Sequence, residues 1–412
     1  MRRYGSLLGI FLLLTIWGCR KESASASAKG LFPLETLEGT VSITAGKTTI
    51  ESPSIIQYPD QFVWGGSVIR SEDGRYHMFF SMFDAGPDKP SFSDSWLLSS
   101  KIAHAVSDQP HRGFVFQSII LKGAAEEGRP DSWDAQGVHN PHIRKFNGKY
   151  YLYYIGSRDP GEQPEGSPGT SLRKRDRIQQ TQQIGVIAVD TLEDLIRREF
   201  NRPDAPLLSP RTRVKPDKVI EPSPPGTETR PDNLVVVNPS VVFRPADGKY
   251  LLYFKGNIYD SGWRGVHGVA LGDSPTGPFQ ALDTFIFDVR QPDGRLAKAE
   301  DPYVWYHMES DSFFAVFKDF SGNYTGGDPG LALMQSRDGI RWEMPPDPLF
   351  SRLELRFADG TVLPVAHLER PQLLTDQVGN PLAFYAACSI EPVGGKSDGT
   401  TFNVQMKFAN NR

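Results

Sequence analysis

Five stretches of this chain can be laid on one another, and that internal repeat limits the fold more than any other feature. Segments 60–67, 134–141 and 232–239 align without gaps, with Asp60, Asp134 and Asp232 each seven residues before Ser67, Pro141 or Pro239. Glu300-Asp301-Pro302 and Glu369-Arg370-Pro371 repeat the core of the pattern without that Asp. From Ser67 through Pro141, Pro239 and Pro302 to Pro371 the spacings are 74, 98, 63 and 69 residues. A turn and a β-rich run follow each: Asp73-Gly74 before 76–81, Asn147-Gly148 before 150–155, Asp247-Gly248 before 250–255, Asp311 before 313–318, and Gly379 before 382–386. Asp-Gly and Asn-Gly between apolar runs are hairpin signals. A third strand closes most units, as at 102–106 and 184–189. About four strands per unit, repeated radially, predict an all-β fold, a five-bladed β-propeller. Segment 39–52 is expected to supply the outer strand that closes the ring. High Gly (39) and Pro (33) with 25 Phe and 14 Tyr fit many short strands joined by turns.

The N-terminus reads as a targeting segment. Arg2 and Arg3 precede an apolar run, 7–17, too short to span a bilayer comfortably. Ile16-Trp17-Gly18-Cys19 resembles a bacterial lipobox. That implies a lipoprotein signal peptide over 1–18, lipidation of Cys19, a flexible tether over 19–38 and a propeller domain over 39–412. The expected location is exported and lipid-anchored to the bacterial cell envelope, on the periplasmic or surface side of the outer membrane. Cys388 is the one other cysteine, so the lipidated chain holds no internal disulfide and relies on a large core. With 45 Lys+Arg against 49 Asp+Glu, a net charge of −4 gives no reason to expect nucleic acid.

Strand direction locates a site. If the first strand of each unit lines the axis, its start lies at one mouth of the ring, and the second strand ends on the same face. That rim holds Trp64-Gly65-Gly66, His139-Asn140, Val237-Asn238, Glu300-Asp301 and Glu369-Arg370, joined by Lys255, Lys318 and Asp319. An Asn before Pro also serves as a turn residue, but polar groups from five separate stretches converging on one spot suit a function carried by a rigid scaffold.

At these residues, and in Ala270-Leu-Gly-Asp-Ser-Pro-Thr-Gly-Pro-Phe279 and Ser336-Arg-Asp-Gly-Ile-Arg-Trp342, the chain resembles the five-bladed glycoside hydrolases of family 43 and related families, as a divergent member. The resemblance implies inverting hydrolysis with a base Asp opening the first blade, a pKa-tuning Asp opening the third and an acid Glu opening the fourth. Glu300 matches the Glu; Gly65-Gly66 and Asn238 stand where the other two are expected. Candidate substitutes are Asp60, Asp134 or Asp232 reaching in from the preceding loops, Glu369 on the next blade, or His139 as a proton carrier. The expected catalytic set is therefore Glu300, Glu369, Asp301 and Asp232. The expected substrate-binding set is Trp64, His139, Asn140, Asn238, Lys255, Lys318, Asp319 and Arg370. Trp64 is the favoured aromatic platform, ahead of Trp133, Tyr303 and Trp263. The insertion 156–183 carries Arg173-Lys-Arg-Asp-Arg177 over the same face and, with Arg370, Lys255 and Lys318, suggests an anionic glycan.

The expected function is a glycosidase acting on an oligo- or polysaccharide, with a non-catalytic glycan-binding propeller lipoprotein as the alternative. No metal or cofactor motif is found, and a central Ca²⁺ is left open by the resemblance. The expected partner is carbohydrate, with no nucleic acid, membrane contact through the N-terminal lipid only, and the oligomeric state open.

Overall fold

The computed structural model describes residues 31–44, 47–167, 169–211, 226–259, 263–391 and 401–409. The expected signal peptide, Cys19 and the first part of the tether lie outside these residues, as does the side chain of Trp263.

Five antiparallel sheets follow one another along the chain as the blades of a propeller. Blade 1 is Gln61–Arg70, Tyr76–Asp84, Lys101–Ser107 and Val115–Leu121. Blade 2 has three strands, Gly137–Phe146, Lys149–Ser157 and Gln183–Val189. Blade 3 is Val236–Arg244, Lys249–Tyr259, Trp263–Gly272 and Phe279–Ala281. Blade 4 is Ala299–His307, Ser312–Asp319, Gly330–Ser336 and Leu349–Arg352. Blade 5 is His367–Thr375, Pro381–Ser389 and Thr401–Lys407, completed by Ile55–Ile56 from the other end of the chain.

The second strands read as unbroken apolar runs because both of their faces are buried, each against a different neighbour. Side chains of a strand alternate between faces. Thus Tyr150, Leu152 and Tyr154 pack with blade 1, while Tyr151 and Tyr153 pack with blade 3. Each of the five blade junctions has its own apolar cluster. Cys388 is a free thiol buried in one of them.

Near the axis the blades are also joined by hydrogen bonds at one equivalent position. Ser67 Oγ accepts from the backbone N–H of Ile143 (3.0 Å), and His142 Nε2 from that of Val241 (3.0 Å). Ser240 Oγ accepts from Val304 N–H (2.9 Å), and the Tyr303 hydroxyl donates to Leu373 O (2.8 Å). Gln372 Oε1 closes the circle by accepting from the Ser67 hydroxyl (3.2 Å). Just before this position every first strand carries a β-bulge, with Gly65, Asn140, Asn238, Asp301 and Arg370 at φ between +50° and +61°. This refines the repeat by one residue: the structural counterpart of Pro141 is Gly66, and Ser67 matches His142.

Two expectations about the N-terminal part are corrected. Residues 31–38, placed in the tether, belong to the folded unit: Leu34 bridges Phe408, Leu37 bridges Phe357, and Leu37 is buried. Segment 39–52 forms a separate hairpin, Thr40–Thr44 with Lys47–Glu51, and the ring is closed instead by Ile55–Ile56 against Asn403 and Val404. An alternating apolar pattern marks a strand but not its partner.

The circle of hydrogen bonds can be tested at blade 3. Ser240→Ala strands the buried Val304 N–H and should cost about 1–3 kcal/mol in urea-induced unfolding. An unchanged unfolding midpoint would show the contact to be dispensable.

Candidate functional site

The five bulges aim the residues beside them into one cavity of about 270 Å³ at the mouth of the ring. A bulge re-aims side chains that a regular strand would bury between blades. Of the residues expected at the site, Trp64, His139, Asn140, Asn238, Lys255, Glu300, Asp301, Glu369 and Arg370 line this cavity.

Its floor is a chain of polar contacts. Asn140 Nδ2 donates to Asn238 Oδ1 (2.8 Å), and Asn238 Nδ2 donates to Asp301 Oδ1 (2.5 Å). Asp301 Oδ2 accepts the backbone N–H of Arg370 (3.1 Å), and the Arg370 guanidinium approaches Asp301 at 3.7 Å. Arg370 is only 2% exposed, and its Nε and Nη1 are buried with no hydrogen-bond partner among the described residues. Its side chain occupies the space above Gly65, where an added Cβ would sit 3.1 Å from Arg370 Cβ and 3.3 Å from its Nε. The glycine that replaces the expected first-blade Asp therefore makes room for this arginine. Glycine also adopts the local φ of +56° without the steric penalty of a side chain.

The other carboxylates are each held by a cation. Glu300, with a side chain 30% exposed, is ion-paired with Lys255. Glu369 Oε1 is paired with Lys318 and lies 2.6 Å from His367 Nδ1. Burial opposes ionisation of Glu369, but the His367 and Lys318 contacts outweigh it and hold the carboxyl below its usual range. Asp301 goes the other way: burial, opposed by Arg370 and reinforced by the charges of Glu300 and Glu369, pushes it up to about 6. Burial likewise lowers the Arg370 pKa, which Asp301 partly restores.

Several candidates have other roles. Asp232 does not line the cavity; its buried carboxylate accepts from Arg211 Nε (2.6 Å) and Nη2 (2.7 Å). Asp134 is tied in the same way to Arg202 (2.9 Å) and the Tyr154 hydroxyl (2.8 Å), and Asp60 is exposed. None of the three pre-blade Asp residues replaces the absent first-blade carboxylate. Asp319 organises a loop, accepting the backbone N–H groups of Ser321, Gly322, Tyr324 and Thr325. Lys318 stands behind Glu369. His139 is pushed down to about 3 by burial and stays neutral, which removes it as a proton carrier near neutral pH. Its Nε2 faces Gln182 Oε1 (3.1 Å), while Gln182 Nε2 donates to Gln179 O (3.0 Å). The amide orientation thus puts the imidazole proton on Nε2 and leaves Nδ1 a buried acceptor with no partner among the described residues.

The aromatic wall is larger than expected. Trp64 is joined by Phe92 at 4.9 Å between ring centroids, and Trp96 packs edge-on against His139 at 5.2 Å. Phe92 and Trp96 lie on a short helix, Phe92–Leu98, between the second and third strands of blade 1. Their sequence signal was available, because a loop after a second strand lies on the site face. Trp133 and Tyr303 are core residues. The insertion 156–183 adds Gln179 and Gln182 to the cavity through the helix Lys174–Gln179. Three of its arginines are ion-paired within the protein: Arg173 and Arg175 with Asp94 and Asp176, and Arg177 with Asp159. These pairs brace the insertion.

No protein-family model matches the chain, and no curated protein matches it. Solved structures do. A glycoside hydrolase is 10% identical, with 92% of this chain and 93% of that one covered, at a TM-score of 0.55. A thermostable family-43 glycoside hydrolase is 12% identical, with 86% and 96% covered, at a TM-score of 0.52. BT0996, solved as an RGII complex, is 10% identical, with 92% and 93% covered, at a TM-score of 0.56. The chain has the five-bladed propeller fold of these hydrolases. The resemblance read from the blade starts holds at the level of fold, with divergence in sequence.

Asp301 gives the fold a pH dependence. Its folded-state pKa lies above that of an unperturbed aspartate, so the folded chain holds the proton more tightly than the unfolded one. That contribution to stability is complete at low pH and is lost as pH rises through about 6. Comparing urea unfolding of wild type and Asp301→Asn across this window should show a smaller loss of stability with rising pH in the variant. Parallel curves would place the titration elsewhere.

Proposed function

We propose that this protein is a glycoside hydrolase acting on an oligo- or polysaccharide, and that the sugar it recognises carries an anionic group. The observation that carries this reading is the convergence of Glu300, Asp301, Glu369 and Arg370 on one cavity with a wall of Trp64, Phe92 and Trp96. A pocket with an aromatic wall and a few fixed polar groups suits a sugar ring.

In this reading Glu300, whose side chain is partly exposed in the cavity, is the arm that reaches the substrate. It delivers the proton to the glycosidic oxygen as the bond from that oxygen to the anomeric carbon breaks. Glu369, kept ionised by Lys318 and His367, takes a proton from the water whose oxygen bonds to the anomeric carbon. One water is consumed, two hydroxyl-bearing products leave, and the carboxyl pair is reset by proton exchange with solvent.

Arg370 supports the anionic part. A buried guanidinium whose Nε has no hydrogen-bond partner among the described residues, and whose Nη1 meets Asp301 only at 3.7 Å, favours a carboxylate or sulfate over a hydroxyl, because charge-assisted hydrogen bonds are about twice as strong as neutral ones. The His139 Nδ1 can accept from a sugar hydroxyl. An envelope lipoprotein anchored through Cys19 is part of the same proposal.

The test is a screen of plant and algal oligosaccharides, neutral, uronate-containing and sulfated, read by release of reducing ends. Glu300→Gln and Glu369→Gln should each lower kcat by about 10²–10⁴-fold. Activity unaltered in Glu300→Gln would remove Glu300 from the mechanism. Arg370→Gln should erase a preference for anionic over neutral sugars worth about tenfold or more. The kcat/KM profile should fall on the acid side as Glu369 is protonated and should change again near pH 6, where the neighbouring Asp301 ionises.

The second reading, a propeller that binds glycan without cutting it, is favoured by one observation: Gly65 has replaced the first-blade carboxylate with space for Arg370. Retention of a glycan with no reducing ends released would establish it.

A further inference from the structure

Glu300 borders a second cavity. This one, of about 620 Å³, lies between blades 3 and 4 under the insertion 156–183. It shares only Gln179, Lys255, Asn257 and Glu300 with the lining of the first. The residue proposed to protonate the glycosidic oxygen therefore stands at the junction of two chambers, one enclosed by aromatic rings and Arg370, the other open towards the rim. The second chamber also holds a large apolar side chain left in solvent: Phe320, 40% exposed.

Phe320 is held in place by its neighbours. The Asp319 carboxylate accepts four backbone N–H groups of the following turn, at 2.8–3.0 Å, which fixes the loop directly after the ring. The Lys318 ammonium lies 4.2 Å from the ring centroid and is paired on its other side with Glu369. The platform is thus linked through one lysine to the carboxylate proposed as base. A phenyl ring of fixed position at a cavity edge can bind the apolar face of a sugar.

We propose that this second cavity is the subsite for the sugar on the leaving side of the scissile bond, with Phe320 as its platform and Lys298 at its rim. The substrate then spans at least two sugar units, one in each chamber, with the glycosidic oxygen at Glu300. The inference rests on the hydrolase reading, but it concerns length recognition, which can be measured without turnover.

The experiment uses the full chain carrying Glu300→Gln, with and without Phe320→Ala, on immobilised ladders of one to five sugar units, neutral and uronate. Glu300→Gln alone should retain two or more units at least tenfold more tightly than one unit, and Phe320→Ala should abolish that step while leaving single-unit binding unchanged. Phe320→Trp should restore it, and Phe320→Leu, which keeps bulk without a planar face, should not. A parallel arm with the active chain compares an oligosaccharide with the p-nitrophenyl glycoside of the same sugar. Phe320→Ala should raise KM for the oligosaccharide about tenfold, a change of about 1.4 kcal/mol, and by less for the aryl glycoside, which places no second sugar on the ring. Retention independent of length, or loss equal for single and multiple units, overturns the subsite. Length-dependent retention sensitive to Phe320, in a chain that releases no reducing ends, overturns the hydrolase reading and leaves the subsite standing. Retention of no ladder member overturns both.

Discussion

The circle of hydrogen bonds near the axis is the constraint on which the rest depends. Five first strands meet there, and strand starts crowded round an axis leave buried backbone groups that the neighbouring blade must satisfy. Ser67, His142, Ser240 and Tyr303 do this from one structural position, and Gln372 at the same position closes the circle on the Ser67 hydroxyl. The bulges just before them follow from the same crowding. A left-handed residue in each strand turns the preceding side chain from the blade junction towards the mouth, so the site is a product of the packing that closes the ring.

Charge is distributed over that site with little surplus. Glu300 has Lys255, Glu369 has Lys318, and Asp301 has Arg370, but the last pair is the loosest, at 3.7 Å, and the most deeply buried. Breaking a buried pair is costly because it strands a charge away from water.

Much of this was legible in the residues. The repeat, the hairpin signals and the strand directions were enough to place nine of the twelve expected catalytic and binding residues on one cavity. The exceptions share a cause. Asp232 and Asp319 are polar residues beside a site, and sequence does not show whether a carboxylate faces a ligand or a nearby arginine or turn. Lys318 lies one contact further back, behind Glu369. The arginine run 173–177 is paired in the fold with Asp94 from blade 1 and with Asp159 at the start of its own insertion, pairings that the sequence does not show. Phe92 and Trp96 were passed over because they sit on a short helix inside a loop, where no strand pattern draws attention to them. That Gly65 leaves room for Arg370 is visible only in the packing.

The strand Ile55–Ile56 has a further consequence. It completes the blade that also supplies Glu369 and Arg370, so the two ends of the folded region must meet before that blade is whole. Pairings between distant parts of a chain form slowly. A chain still emerging from synthesis would carry Glu300 in a finished blade 4 while the opposite wall of the cavity had yet to form. Ring closure thus acts as a checkpoint on assembly: chemistry that needs both carboxylates becomes available only to a chain that has folded through to its last blade.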